Sequence, residues 1–167
     1  PLLGAFFFSI LMKQEGVSLL GSFIAGIAYA VAMRSWFFDI TITGFLPLFP
    51  LLLLSIRRAV MSPWTALLGG SAVIAVAWYT LHFHFTLILL TGAGLYCIAH
   101  AVRQRRQTWT IVLVFSGMVV LGTTIGLLRI LPTLAYGLLS FRTEMPLSYV
   151  MDRGIGTRYP LLYLFPN

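Results

Sequence analysis

The chain has 167 residues, 59% of them hydrophobic and 9% charged, and carries a formal charge of +7 from eleven Lys/Arg against four Asp/Glu. Soluble domains hold about 25% charged residues, so a water-soluble fold cannot hide this apolar content, and the expected class is all-α: a polytopic α-helical integral membrane protein. The Lys and Arg residues stand at the ends of apolar runs, where topology and anionic lipid account for them better than nucleic acid does, and a single cysteine, Cys97, excludes an internal disulfide and a cysteine-based metal cluster.

Leu2–Met12 is apolar but short, and reads as the end of a membrane helix. Pro1 in place of Met, the absence of a basic leader, and the ending LYLFPN give the expectation of a piece of a longer chain. Lys13–Gly16 is a polar turn. Val17–Met33 is the first full span, and its Ser18, Ser22, Gly26 and Ala30 form a small-residue stripe of the kind that lets helices pack closely in lipid. Arg34 and the aromatic Trp36, Phe37 and Phe38 follow as an interfacial belt.

The next span, about residues 40–56, contains Pro47 and Pro50. Each removes a backbone donor, so a straight helix is not expected; Thr41, Thr43 and Gly44 stand one turn back, where they can re-satisfy freed groups. Arg57 and Arg58 close this span. Residues 64–81 and 85–102 are two more spans, separated by the tight hairpin His82-Phe83-His84. Arg103, Arg105 and Arg106 then lead into Thr108–Arg142, which is apolar for about 20 residues, the length that crosses a bilayer. Its Gly122 and Gly126 make a GxxxG packing face.

This gives about six membrane segments, one of them partial, over residues 1–142, with a tail or the start of a larger outer loop over 143–167. Alternating the loops puts Lys13, Glu15, Arg57, Arg58, Arg103, Arg105 and Arg106 on one side, and Arg34, Asp39, His82, His84, Arg129 and the tail on the other. The short loops of the first side hold six Lys/Arg against one, Arg34, on the second, so the first is cytoplasmic by the positive-inside rule and the tail is extracytoplasmic. No span carries Asp or Glu, which disfavours an ion-coupled carrier.

The outer face therefore gathers the candidate chemistry. Asp39, at the mouth of the proline-containing span, is the catalytic candidate: a carboxylate there can act as a general base or hold a divalent metal. Arg34, Arg129 and Arg142 are the candidate phosphate or lipid contacts, since guanidinium groups clamp phosphate oxygens well. The residues admit blander roles as well: a helix N-terminal acid for Asp39, snorkelling for Arg129, and an interfacial position for His100. His82 and His84 lack a third ligand at motif spacing for zinc. No nucleophile triad, phosphate loop or nucleic-acid module is present.

The stretch SLLGSFIAGIAYAVAMRSWFFDITITGFLPLFPLLLLSIRRA, residues 18–59, resembles bacterial YfhO-like membrane proteins and their relatives in the GT-C glycosyltransferase superfamily. LLRILPTLAYGLLSFR, residues 127–142, resembles their later span, which exits through Leu-Pro-Thr towards Ser-x-Arg, and residues 145–167 resemble the start of the outer loop that follows. The resemblance implies a multi-pass inner-membrane transferase with an outward-facing site that takes a sugar from a polyprenyl-phosphate carrier. It also implies a catalytic acid in a loop that would precede Pro1. Arg129 and Ala135 stand where relatives often have Gln and Glu. The alternative is a non-catalytic structural membrane subunit of a larger complex, with membrane lipids and membrane-protein partners around it and no nucleic acid.

Overall fold

The computed structural model describes residues 2–36, 45–80 and 83–139, and all the regular structure among them is helical. The helices are α1 (Leu2–Gln14), α2 (Leu19–Trp36), α3 (Phe45–Arg58), α4 (Pro63–Thr80), α5 (Phe83–Arg103) and α6 (Thr108–Leu139), with a 3₁₀ turn over Arg105–Gln107. The chain divides into two compact units, Pro1–Arg129 and Ile130–Asn167. In the first unit the chain runs up and down through five helices and most of a sixth. The described part of the second continues α6 to Leu139.

Local signals explain the helix ends. The α1 helix stops at Gly16, whose φ of 91° is open to glycine and costly for a side chain. The Gly16 and Val17 amides bond back to the Lys13 and Met12 carbonyls, closing the last turn. Ser18 accepts the Gly21 amide at 3.2 Å and so caps α2. Ser62 precedes Pro63, the first residue of α4, where a missing donor costs nothing. Thr108 opens α6 by donating its hydroxyl to the Ala101 carbonyl at 2.9 Å, which ties the start of α6 to the last turn of α5.

The two prolines of α3 have different standings. Pro47 falls in the first turn, whose amides have no intrahelical acceptor, so it removes no helical hydrogen bond. Pro50 lies inside the helix and is fully buried. The expected interruption is thereby confined to one lost bond, and the helix continues to Arg58. The α6 helix likewise passes through Pro132.

The small residues predicted as packing faces are used inside the unit. Gly26 of α2 lies so close to α1 that a Cβ there would stand 2.6 Å from the Ala5 carbonyl oxygen. Between α4 and α6 the fit is reciprocal and in register at four-residue steps. Gly70 of α4 receives the Met118 side chain, and Gly122 and Gly126 of α6 receive Ile74 and Trp78. The Trp78 indole N–H then donates to the Thr123 hydroxyl at 3.2 Å. In the α4–α5 hairpin the buried Thr86 hydroxyl donates to the Ala77 carbonyl at 3.3 Å.

Beyond these contacts the helices stay apolar outwards. On α2, Leu20, Ile24, Ile27 and Val31 are exposed at helical spacing, and on α5 so are Leu95, Ile98 and Val102. Phe85–Arg103 and Arg105–Pro132 are long and apolar enough to cross a membrane, whereas Leu2–Gln14 and Leu19–Ala32 are shorter apolar helices.

Candidate functional site: a carboxylate-centred basic end

The connectivity brings the C-termini of α1, α3 and α5 to one end of the first unit. Each last turn is basic, with Lys13 on α1, Arg57 and Arg58 on α3, and His100 and Arg103 on α5. Cations are favourable there, because a helix C-terminus carries about half a negative charge. One carboxylate, Glu15, stands in the turn after α1 and ties the three ends together.

Arg57 makes a two-pronged contact. Its Nη1 donates to Glu15 Oε1 and its Nη2 donates to the Gln14 carbonyl oxygen. The same guanidinium thus pairs with the acid and satisfies a carbonyl that α1 leaves open at its end. Tyr96 Oη donates to Glu15 Oε1 at 2.7 Å, and Arg103 Nη1 donates to Oε2 at 3.1 Å. The side chains of Glu15 and Arg57 are 20% and 28% exposed, against 69% for Arg103, so the Arg57 and Tyr96 contacts carry most of the interaction and the Arg103 pair is screened.

Burial pushes the Glu15 carboxyl pKa up. The hydrogen bonds from Tyr96 and Arg57 and the charges of Arg57 and Arg103 outweigh it, and the group lies below its ordinary value of 4.5. Glu15 is ionised at neutral pH.

Beside this node is a cavity of about 500 Å³. The α1 end contributes Gln14, the α3 end Arg57 and Arg58 with Val60 and Met61 of the following turn, and α5 contributes His100 and, just past its end, Gln104. His100 is 8% exposed and lies parallel to the Tyr96 ring with centroids 5.9 Å apart. Its Nε2 is buried without a hydrogen-bond partner. Position alone suggested an interfacial histidine; the packing of α5 beside α3 goes with its burial.

The residues singled out from the sequence do not meet at this place. Asp39 and Arg142 lie outside the described residues, as do His82, Thr41, Thr43, Gly44 and the tail. Arg34 belongs to the last turn of α2, and α2 leads away from Glu15. Arg129 is exposed on α6. No three His, Cys, Asp or Glu side chains come together to hold a metal among the described residues. Cys97 is a buried free thiol.

Sequence reasoning used Glu15, Arg57 and Arg103 as topology markers and passed over them as a site. The signal that could have found them is that Glu15 is the one acid on a side with six Lys/Arg. Such an acid has several cations to choose from, and Tyr96, two turns before Arg103, supplies a neutral donor. No family model matches the chain, and no curated protein or solved structure matches it.

Proposed function

We propose that the chain is a multi-pass domain of the cell inner membrane, with its basic loops cytoplasmic and its C-terminal tail extracytoplasmic. The observation that carries this reading is the distribution of side chains. Large aliphatic residues are exposed along α1, α2, α5 and α6, while Lys13, Arg57, Arg58, Arg103, Arg105 and Arg106 stand at or just past the ends of α1, α3 and α5. Apolar faces of this extent mark membrane or partner contact, and in lipid every backbone group must be paired internally, as it is in helices.

Within that setting we propose part of a GT-C-like glycosyltransferase that takes its sugar from a polyprenyl-phosphate donor. The support is the resemblance of residues 18–59 and 127–142, whose apolar-proline-basic order is similar to that of the superfamily. Asp39 is the proposed acid or base, and Arg34, Arg129 and Arg142 the proposed phosphate contacts. Asp39→Asn in the full-length protein tests this. Turnover should fall by roughly 10²–10⁴-fold with the protein still inserted, and unchanged turnover excludes a catalytic Asp39. The structural-subunit alternative predicts a stoichiometric membrane partner, no bound polyprenyl phosphate and no transfer activity. The Gly26, Gly122 and Gly126 faces are occupied within the unit and lend that alternative no support.

A further inference from the structure

We infer that the cavity at the basic end holds the phosphate of an anionic phospholipid headgroup from the leaflet on that side. The inference rests on the membrane part of the proposed function and is independent of the transferase part. Three observations carry it. The first is charge: Lys13, Arg57, Arg58, Arg103, Arg105 and Arg106 stand at or just past the ends of α1, α3 and α5, against one carboxylate and three helix C-termini, each about half a negative charge, so the end keeps a positive excess after Glu15 is satisfied.

The second is the unspent donor capacity of the lining. Arg57 is committed to Glu15 and Gln14, but Arg58 and Gln104 border the cavity from its rim, and the Nε2 of the nine-tenths-buried His100 has no partner. A buried polar atom without a partner costs stability unless something meets it. The histidine χ2 torsion is soft, and rotating the ring offers Nε2–H to a phosphate oxygen, alongside the Arg58 guanidinium.

The third is the apolar flank. Val60 and Met61 line the same cavity, and Met61 is also exposed. A free phosphate ion gains nothing from such a flank, whereas a glycerol backbone with the first methylenes of its acyl chains does. The volume suits this occupant, because small-molecule sites run from about 300 to 1,000 Å³.

The test uses the full chain purified in neutral detergent, with retained phospholipid measured by mass spectrometry, and thermal stabilisation by added phosphatidylglycerol, phosphatidylcholine or inorganic phosphate. Retained phosphatidylglycerol is expected to fall about tenfold in Arg58→Glu and clearly in His100→Phe, but to stay within about twofold in Arg105→Glu, which makes the same charge change outside the cavity. Phosphatidylglycerol should stabilise and phosphatidylcholine should not. Equal losses in Arg58→Glu and Arg105→Glu, or stabilisation by inorganic phosphate equal to that by phosphatidylglycerol, overturn the inference. Extraction of the wild-type protein by alkaline carbonate defeats the membrane reading itself, a failure distinct from loss of lipid specificity. Arg58 is exposed, so its variant reports on the cavity even if His100→Phe does not fold.

Discussion

Replacing Glu15 by glutamine should loosen three helix ends at once, although only one oxygen becomes a nitrogen. The wild-type carboxylate accepts from Arg57 and Tyr96 at one oxygen and from Arg103 at the other. Hydrogen bonds to a charged group are each worth about 1.5–3 kcal/mol, whereas an exposed pair such as that with Arg103 is worth about 0–1 kcal/mol. Glutamine keeps one acceptor, loses the charge, and turns an N–H₂ towards a guanidinium. The net loss should be about 2–3 kcal/mol, a drop of roughly 5–10 °C in the unfolding midpoint for a chain of this size. Cys97 supplies the assay: it is the single cysteine and is buried, so a thiol-reactive fluorophore labels it only on unfolding. A double-mutant cycle with Tyr96→Phe should give a coupling above about 1 kcal/mol, because the two side chains share one hydrogen bond. A Glu15→Gln midpoint equal to wild type, or strict additivity with Tyr96→Phe, refutes the node as a source of stability.

The same carboxylate sets the acid limit. Its folded pKa lies below 4.5, so its contribution is fully present above the unfolded value and is lost as pH falls through the folded value. Wild-type midpoints should therefore hold near neutrality and decline below about pH 4.5, while Glu15→Gln declines less over the same range; parallel profiles would contradict this. Gly26→Ala should destabilise by about 1–3 kcal/mol through overpacking, because its Cβ meets the Ala5 carbonyl oxygen at 2.6 Å. Gly69→Ala has its nearest neighbour, Ser55 Oγ, at 3.7 Å, and should be neutral or stabilising by up to about 1 kcal/mol from helix propensity; the reverse order in the same labelling assay would sink the packing argument.

The helices were largely legible in the sequence because each rests on a local pattern: an apolar run long enough to show, ended by the Lys13–Gly16 turn or by a basic turn such as Arg57-Arg58. The small-residue faces were legible for the same reason, since Gly122 and Gly126 recur one turn apart. Two features were not. Whether Pro47 breaks a helix depends on where that helix begins, and a shift of one turn changes the answer. The Glu15 node joins residues 42 and 88 positions apart, and nothing periodic marks such a pairing; only the folded arrangement of α1, α3 and α5 selects Arg57 and Arg103 from six cations. Asp39 stands near a proline-containing segment and so attracts a chemical interpretation, whereas Glu15 among arginines looks like a neutralised loop.

The wide spacing of that node has a consequence in time. At about 5–20 residues per second of synthesis, Arg103 emerges roughly 4–18 s after Glu15, and Arg57 arrives about midway, 42 residues on. The acid is therefore neutralised in a set order, first by the end of α3 and last by the end of α5. Until α5 is complete, Tyr96 and Arg103 are missing and the latch on α1 is half made. The final turn of α5 thus acts as the closing step of assembly, and substitutions there should slow maturation of the whole domain as well as weaken the finished one.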